Sequence, residues 1–149
     1  MREFPIEKLI FTGAKIQGSD KSMSIEVAIE PFELELDGYS EVVDTVLRLD
    51  GICIPANPAE LEQKEFNFPT NPSDGYIDGS IYFFSAHSPV DVTCINFGSI
   101  ESGKLPVVFE TLWVLEYENT GFRNLTKTVA TNIELEGTPA IGIMYRENQ

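Results

Sequence analysis

Apolar residues in this chain recur at every second position, and that period restricts the fold more than any other feature of the sequence. Successive side chains of a strand face opposite sides of a sheet, so a period of two belongs to strands. Met23, Ile25, Val27 and Ile29 alternate with Ser24, Glu26, Ala28 and Glu30, as in a strand with one buried and one wet face. Beyond Pro31, Phe32, Leu34 and Leu36 alternate with Glu33, Glu35 and Asp37, and the apolar parity moves from odd to even positions. A β-bulge at Pro31 produces such a shift, and proline is tolerated at bulges and edges. The expectation is one long, bent strand near a sheet edge.

Asp37-Gly38-Tyr39-Ser40 is a turn signal, and Glu41 to Ile54 fits either a helix or a strand. The β-branched content favours the strand. Asn57 as N-cap, Pro58 at the first helical position and acids in the first turn predict one short helix near residues 58–64. Further strands are expected at Tyr76 to Ser85, Val90 to Ile100, Leu105 to Glu118, Leu125 to Glu136 and Ile141 to Tyr145. The connections between them, Ala86-His87-Ser88-Pro89 and Gly137-Thr138-Pro139 among them, suit hairpins, which implies antiparallel pairing. Leu105 to Tyr117 is apolar on its odd face and partly on its even one, so that strand should be central. The expected fold is all-β: an antiparallel β-sandwich or flattened barrel of about eight or nine strands with one short helix.

The 149 residues suit a single domain over 1–149, with no internal repeat or dividing linker. No apolar run reaches the roughly 18 residues that cross a bilayer, and acids and Pro5 interrupt the N-terminal segment where an export signal would be apolar. The reading is a soluble, cytoplasmic protein with no membrane contact. Twenty-four acids against ten bases leave a net charge of −14, which repels phosphate backbones and argues against nucleic acid as a partner. Cys53 and Cys94 show neither a CxxC nor a second cluster, so both read as buried small residues in a reducing compartment, with no metal or cofactor signalled. Asn124-Leu125-Thr126 fits a glycosylation sequon but lacks a secretory context.

Catalytic groupings are weak. His87 is the only histidine, and Ser85 or Ser88 with His87 and Asp91 has no nucleophile motif around it. Asp74, Asp78, His87 and Asp91 could gather round a metal, but Asp74-Gly75 and Asp78-Gly79 are better read as turn dipeptides. Glu110 and Glu116 lie roughly 20 Å apart along a strand, beyond the roughly 5 to 9.5 Å that glycoside hydrolysis uses. Glu110, if buried, would require Arg123, Lys127 or Arg146 as its partner.

The distinctive feature is electrostatic. Between Ser22 and Leu47 stand Glu26, Glu30, Glu33, Glu35, Asp37, Glu41 and Asp44, with no base among them. Such a ribbon is screened by solvent or met by a cationic surface. The expectation is a non-catalytic binding protein, not an enzyme, whose acidic face docks a positively charged protein; an immunity- or antitoxin-type inhibitor is the concrete example. The alternative is a small-molecule or carbohydrate site framed by Tyr82, Phe84, Trp113 and Tyr117. A homo-oligomer remains open.

Overall fold

The alternating segments become ten strands, and the computed structural model that shows them describes residues 1–135. In chain order they are β1 (Phe11–Ser19), β2 (Ser22–Ile29), β3 (Phe32–Leu36), β4 (Tyr39–Val43), β5 (Val46–Ile52), β6 (Glu65–Asn67), β7 (Asp78–Phe83), β8 (Ala86–Phe97), β9 (Lys104–Trp113) and β10 (Leu125–Glu134). Eight form one sheet in the order β6-β8-β7-β5-β2-β1-β10-β9, and β9 pairs again with β8. Seven strands thus close into a ring, and β6 is an extra strand on β8. The all-β expectation holds, and this ring is compatible with a sandwich or a flattened barrel. The expected strand Ile141–Tyr145, its hairpin connection and Arg146 lie outside the described residues.

Every neighbouring pair in the ring is antiparallel except β1 and β10, which meet in parallel at Ala14 and Ile133. The expectation of antiparallel pairing fails at this joint because β1 and β10 come from opposite ends of the chain and no hairpin joins them. β1 itself escapes the hydrophobic pattern, since Gly13, Lys15, Gln17 and Gly18 dilute its period and only Ala14 is fully buried.

Pro31 marks a change of sheet rather than a bulge. β2 lies between β1 and β5, away from any edge, while β3 pairs with β4 in a separate two-stranded sheet. The parity shift arises because β3 buries Phe32 and Leu34 from a hairpin laid against the ring, not from within it. Asp37 and Gly38 occupy its turn at φ 51 and 86, the pair of positive values whose twist matches the flanking strands. Phe4 completes this packing: its ring lies 6.2 Å from Phe32, 5.6 Å from Phe83, 6.4 Å from Trp113 and 5.1 Å from Phe122.

The strand reading of Glu41 to Ile54 is right, with a break at Asp44-Thr45 that divides β4 from β5. The short helix near 58–64 is one 3-10 turn, Pro58–Glu60, whose Asn57 cap accepts from the Ala59 N–H at 3.1 Å. A second 3-10 turn covers Ile6–Lys8. β9 ends at Trp113, five residues earlier than expected (118 − 113), because Leu115 to Asn124 knit into a loop. There Thr120 Oγ1 donates to the Leu115 carbonyl at 3.1 Å, and Glu116 and Asn124 exchange backbone-to-side-chain bonds at 2.9 and 3.1 Å.

The cysteines differ from expectation: both are free, Cys53 is exposed and Cys94 half-buried. Ile52 takes the inward parity and turns Cys53 outward. Burial first, then the Glu65 and Glu110 carboxylates, push the Cys94 thiol up from its ordinary value. A raised value leaves less thiolate at a given pH, so at pH 8 iodoacetamide should label Cys53 first, with Cys94 lagging until the pH rises further. Peptide mass spectrometry over time checks this; equal labelling rates would contradict the burial of Cys94.

Candidate functional site

The hairpin β3–β4 sets where the acidic residues go. Its outward face carries Glu33, Glu35, Ser40 and Val42, since Glu33 registers with Val42 and Glu35 with Ser40. Ser40 Oγ donates to Glu33 Oε2 at 3.0 Å. Glu30 is exposed at the β2–β3 junction and Asp44 is exposed between β4 and β5. Among the described residues Glu30, Glu33, Glu35, Glu41 and Asp44 form no ion pair.

The ribbon is nevertheless not one continuous row. Glu26 lies on β2 and pairs with Arg48 of β5 at 3.3 Å. Asp37 sits in the hairpin turn and pairs with Arg2 at 2.7 Å, so it does not extend the row of Glu33 and Glu35. Lys8 also reaches the hairpin, donating to the Glu33 carbonyl at 2.7 Å. The lack of bases within 22–47 did not foretell these partners, because Arg2, Lys8 and Arg48 come from neighbouring elements. Glu41 points toward the ring, accepting from the Tyr39 hydroxyl at 3.1 Å and the Phe84 N–H at 2.9 Å. That hydrogen bond, with the carboxylate charge, holds the Tyr39 phenol above its ordinary value.

Phe84 leads to the second part of the surface. The register Phe83 with Ala86 leaves only Phe84 and Ser85 in the β7–β8 turn, at φ 49 and 60, so Ala86-His87-Ser88-Pro89 belongs to β8 and not to a loop. A phenylalanine at positive φ is costly, on the order of 1 kcal/mol or more. Its ring is held 5.3 Å from Tyr39, 5.4 Å from Phe83 and 6.0 Å from Phe122. Tyr39, Phe84, Leu36 and Glu118 border a cleft of about 290 Å³.

A second cleft, of about 310 Å³, adjoins it through the shared Glu118. Its floor is the outer face of β7 and β8, where Ser80 registers with Pro89 and Tyr82 with His87. Asp78 and Asp91 stand at the same end of that face, and Asn71, Tyr76, Tyr117 and Glu118 complete the lining. The Val114 N–H donates to the Pro89 carbonyl at 2.8 Å, which brings the Tyr117 loop alongside β8. His87 lies 4.6 Å from the Tyr82 ring.

The four rings of the aromatic alternative are not brought together. Trp113 is fully buried and donates to Thr111 Oγ1 at 2.8 Å, Phe84 faces the first cleft, Tyr117 the second, and Tyr82 packs at a tilt against His87. Tyr117 shares no face with Trp113, because β9 ends before reaching it.

The serine–histidine grouping is split: His87 and Asp91 line the second cleft, while Ser85 sits in the β7–β8 turn and lines the first. His87 points out while Ser88, next along β8, points into the core, where its hydroxyl has no partner among the described residues. Asp78, His87 and Asp91 share a cleft, yet no group of three or more His, Cys, Asp or Glu among the described residues could hold a metal ion. Glu110 is exposed on the even face of β9 and accepts from Thr128 Oγ1 at 2.8 Å, so it needs no buried cation; Arg123 pairs instead with Glu3 at 3.1 Å. Among the described residues no helix is long and apolar enough to cross a membrane. Comparison with known protein families, with curated proteins and with solved structures returned no match.

Proposed function

We propose that the chain is a non-catalytic acidic binding protein that docks a positively charged protein, in the manner of an immunity- or antitoxin-type inhibitor working in the cytoplasm. The observation that carries this reading is the unpaired charge on the hairpin and its two junctions: Glu33 and Glu35 on β3, Glu30 before it and Asp44 after β4 are exposed and outside any ion pair among the described residues. Charges left in this state cost stability through mutual repulsion and speed encounter with a cationic surface. The alternative small-molecule or carbohydrate ligand has less support, since its four rings face different surroundings.

The test is stopped-flow association with a basic protein retained from native lysate at low salt. The on-rate should fall about tenfold or more between roughly 50 and 500 mM salt, as exposed charges are screened. Retention of no basic protein, or an on-rate indifferent to salt, removes the proposal.

A further inference from the structure

We propose that the cleft on the outer face of β7 and β8 is the anchor of the docking surface, and that it receives an arginine side chain of the basic partner. This rests on the reading of the chain as a receptor for a basic protein, and it names the place and the group. The tyrosines carry the inference. The chain has five, and of the four among the described residues three line the two adjoining clefts and the fourth lies beside the second. Tyr39 borders the first and Tyr76 and Tyr117 line the second, while Tyr82 lines neither but packs against His87, which lines the second. Phenylalanines and Trp113 build the core, while Tyr82, Tyr39 and Tyr117 are 46%, 57% and 71% exposed. The fold therefore does not account for these rings by burial. Tyrosine concentrates in protein-binding surfaces because it offers a rigid ring and a hydroxyl at low entropic cost.

Charge decides what the rings meet. Asp78, Asp91 and Glu118 line the second cleft, and among the described residues none of them is in an ion pair and no lysine or arginine lines either cleft. A guanidinium stacks on an aromatic face while its edge donates to carboxylates, whereas a lysine ammonium has no flat face to stack. The cleft is open and has a volume of about 310 Å³, room enough for one arginine side chain, and Tyr76 and Tyr117 both line it. Through Glu118, a partner segment lying across the β7–β8 turn reaches the Tyr39 and Phe84 rings of the first cleft as well.

The experiment titrates the ¹⁵N-labelled full chain with N-acetyl-Gly-Arg-Gly-amide and with the same peptide carrying citrulline, which keeps the shape and loses the charge. The arginine peptide should shift the amides of Asp78, His87, Asp91 and Tyr117, and the citrulline peptide should leave them in place. Asp78→Asn with Asp91→Asn should weaken arginine-peptide binding about tenfold, and Tyr117→Ser, which alters a ring in water, about threefold with an unchanged melting temperature. Shifts confined to Glu33 and Glu35, or equal shifts from citrulline, overturn the anchor while the basic-partner reading stands. Silence toward the arginine peptide together with no salt-dependent association of a basic protein overturns both.

Discussion

Replacing Phe4 by alanine is expected to lower the unfolding free energy by about 3 to 5 kcal/mol, the usual range for removing a fully packed aromatic ring. Phe4 is buried and its ring touches the rings of Phe32 on the hairpin, Phe83 on β7, Trp113 on β9 and Phe122 in the loop before β10. It is the common neighbour of elements far apart in sequence, so the cavity left behind has little freedom to collapse. The variant should also loosen the hairpin, and with it the Glu41 bond to the Phe84 N–H that shapes the first cleft. Urea unfolding measures the first effect and hydrogen exchange at Phe84 the second. A loss below about 1 kcal/mol would show that the N-terminal segment is not part of the core.

Gly79→Ala is expected to cost about 3 kcal/mol, for the opposite reason of overpacking. Gly79 is buried on β7 between Asp78 and Ser80, and a Cβ there would collide with the Val90 carbonyl oxygen and press on Leu49 Cδ2 at 3.0 Å. The oxygen belongs to the backbone of β8, so relief requires the β7–β8 ladder to open. That ladder is the floor of the second cleft, so thermal unfolding should shift downward and the amides of His87 and Asp91 should move in NMR spectra. An alanine variant with a native melting temperature would contradict the close approach of β7 and β8.

The legible part of this molecule is what local alternation controls. Met23 to Ile29, Leu105 to Trp113 and Leu125 to Glu134 announce their strands, and Asp37-Gly38 announces its turn, because side-chain period and positive φ are properties of neighbours in sequence. What depends on distant pairing was not legible. The parity shift at Pro31 fits a bulge or a change of sheet equally well, and only the pairing of β3 with β4 distinguishes them. The parallel contact of Ala14 with Ile133 joins opposite ends of the chain and leaves no local mark. The candidate site was legible in pieces: Asp78, His87 and Asp91 in one grouping, Tyr82, Phe84 and Tyr117 in another, and the acids of 26–44 in a third. The fold sets parts of all three side by side, because the β7–β8 turn lies against Tyr39 and Glu41 of the hairpin while the Tyr117 loop runs beside Pro89. The ion pairs that split the acidic ribbon were invisible for the same reason.

The account depends on location as well as quantity of charge, and one comparison separates the two. A variant carrying Glu30→Gln, Glu33→Gln, Glu35→Gln and Asp44→Asn is set against one carrying Glu60→Gln, Glu65→Gln, Glu101→Gln and Glu134→Gln, also exposed acids but on neither the hairpin nor its junctions. Both lose the same formal charge, and association with the same basic protein is followed at low salt. The hairpin variant should associate about tenfold more slowly with a flattened salt dependence, and the other should stay within about twofold of the parent. Equal slowing of the two would show that net charge alone governs encounter, and would contradict a docking surface at this hairpin.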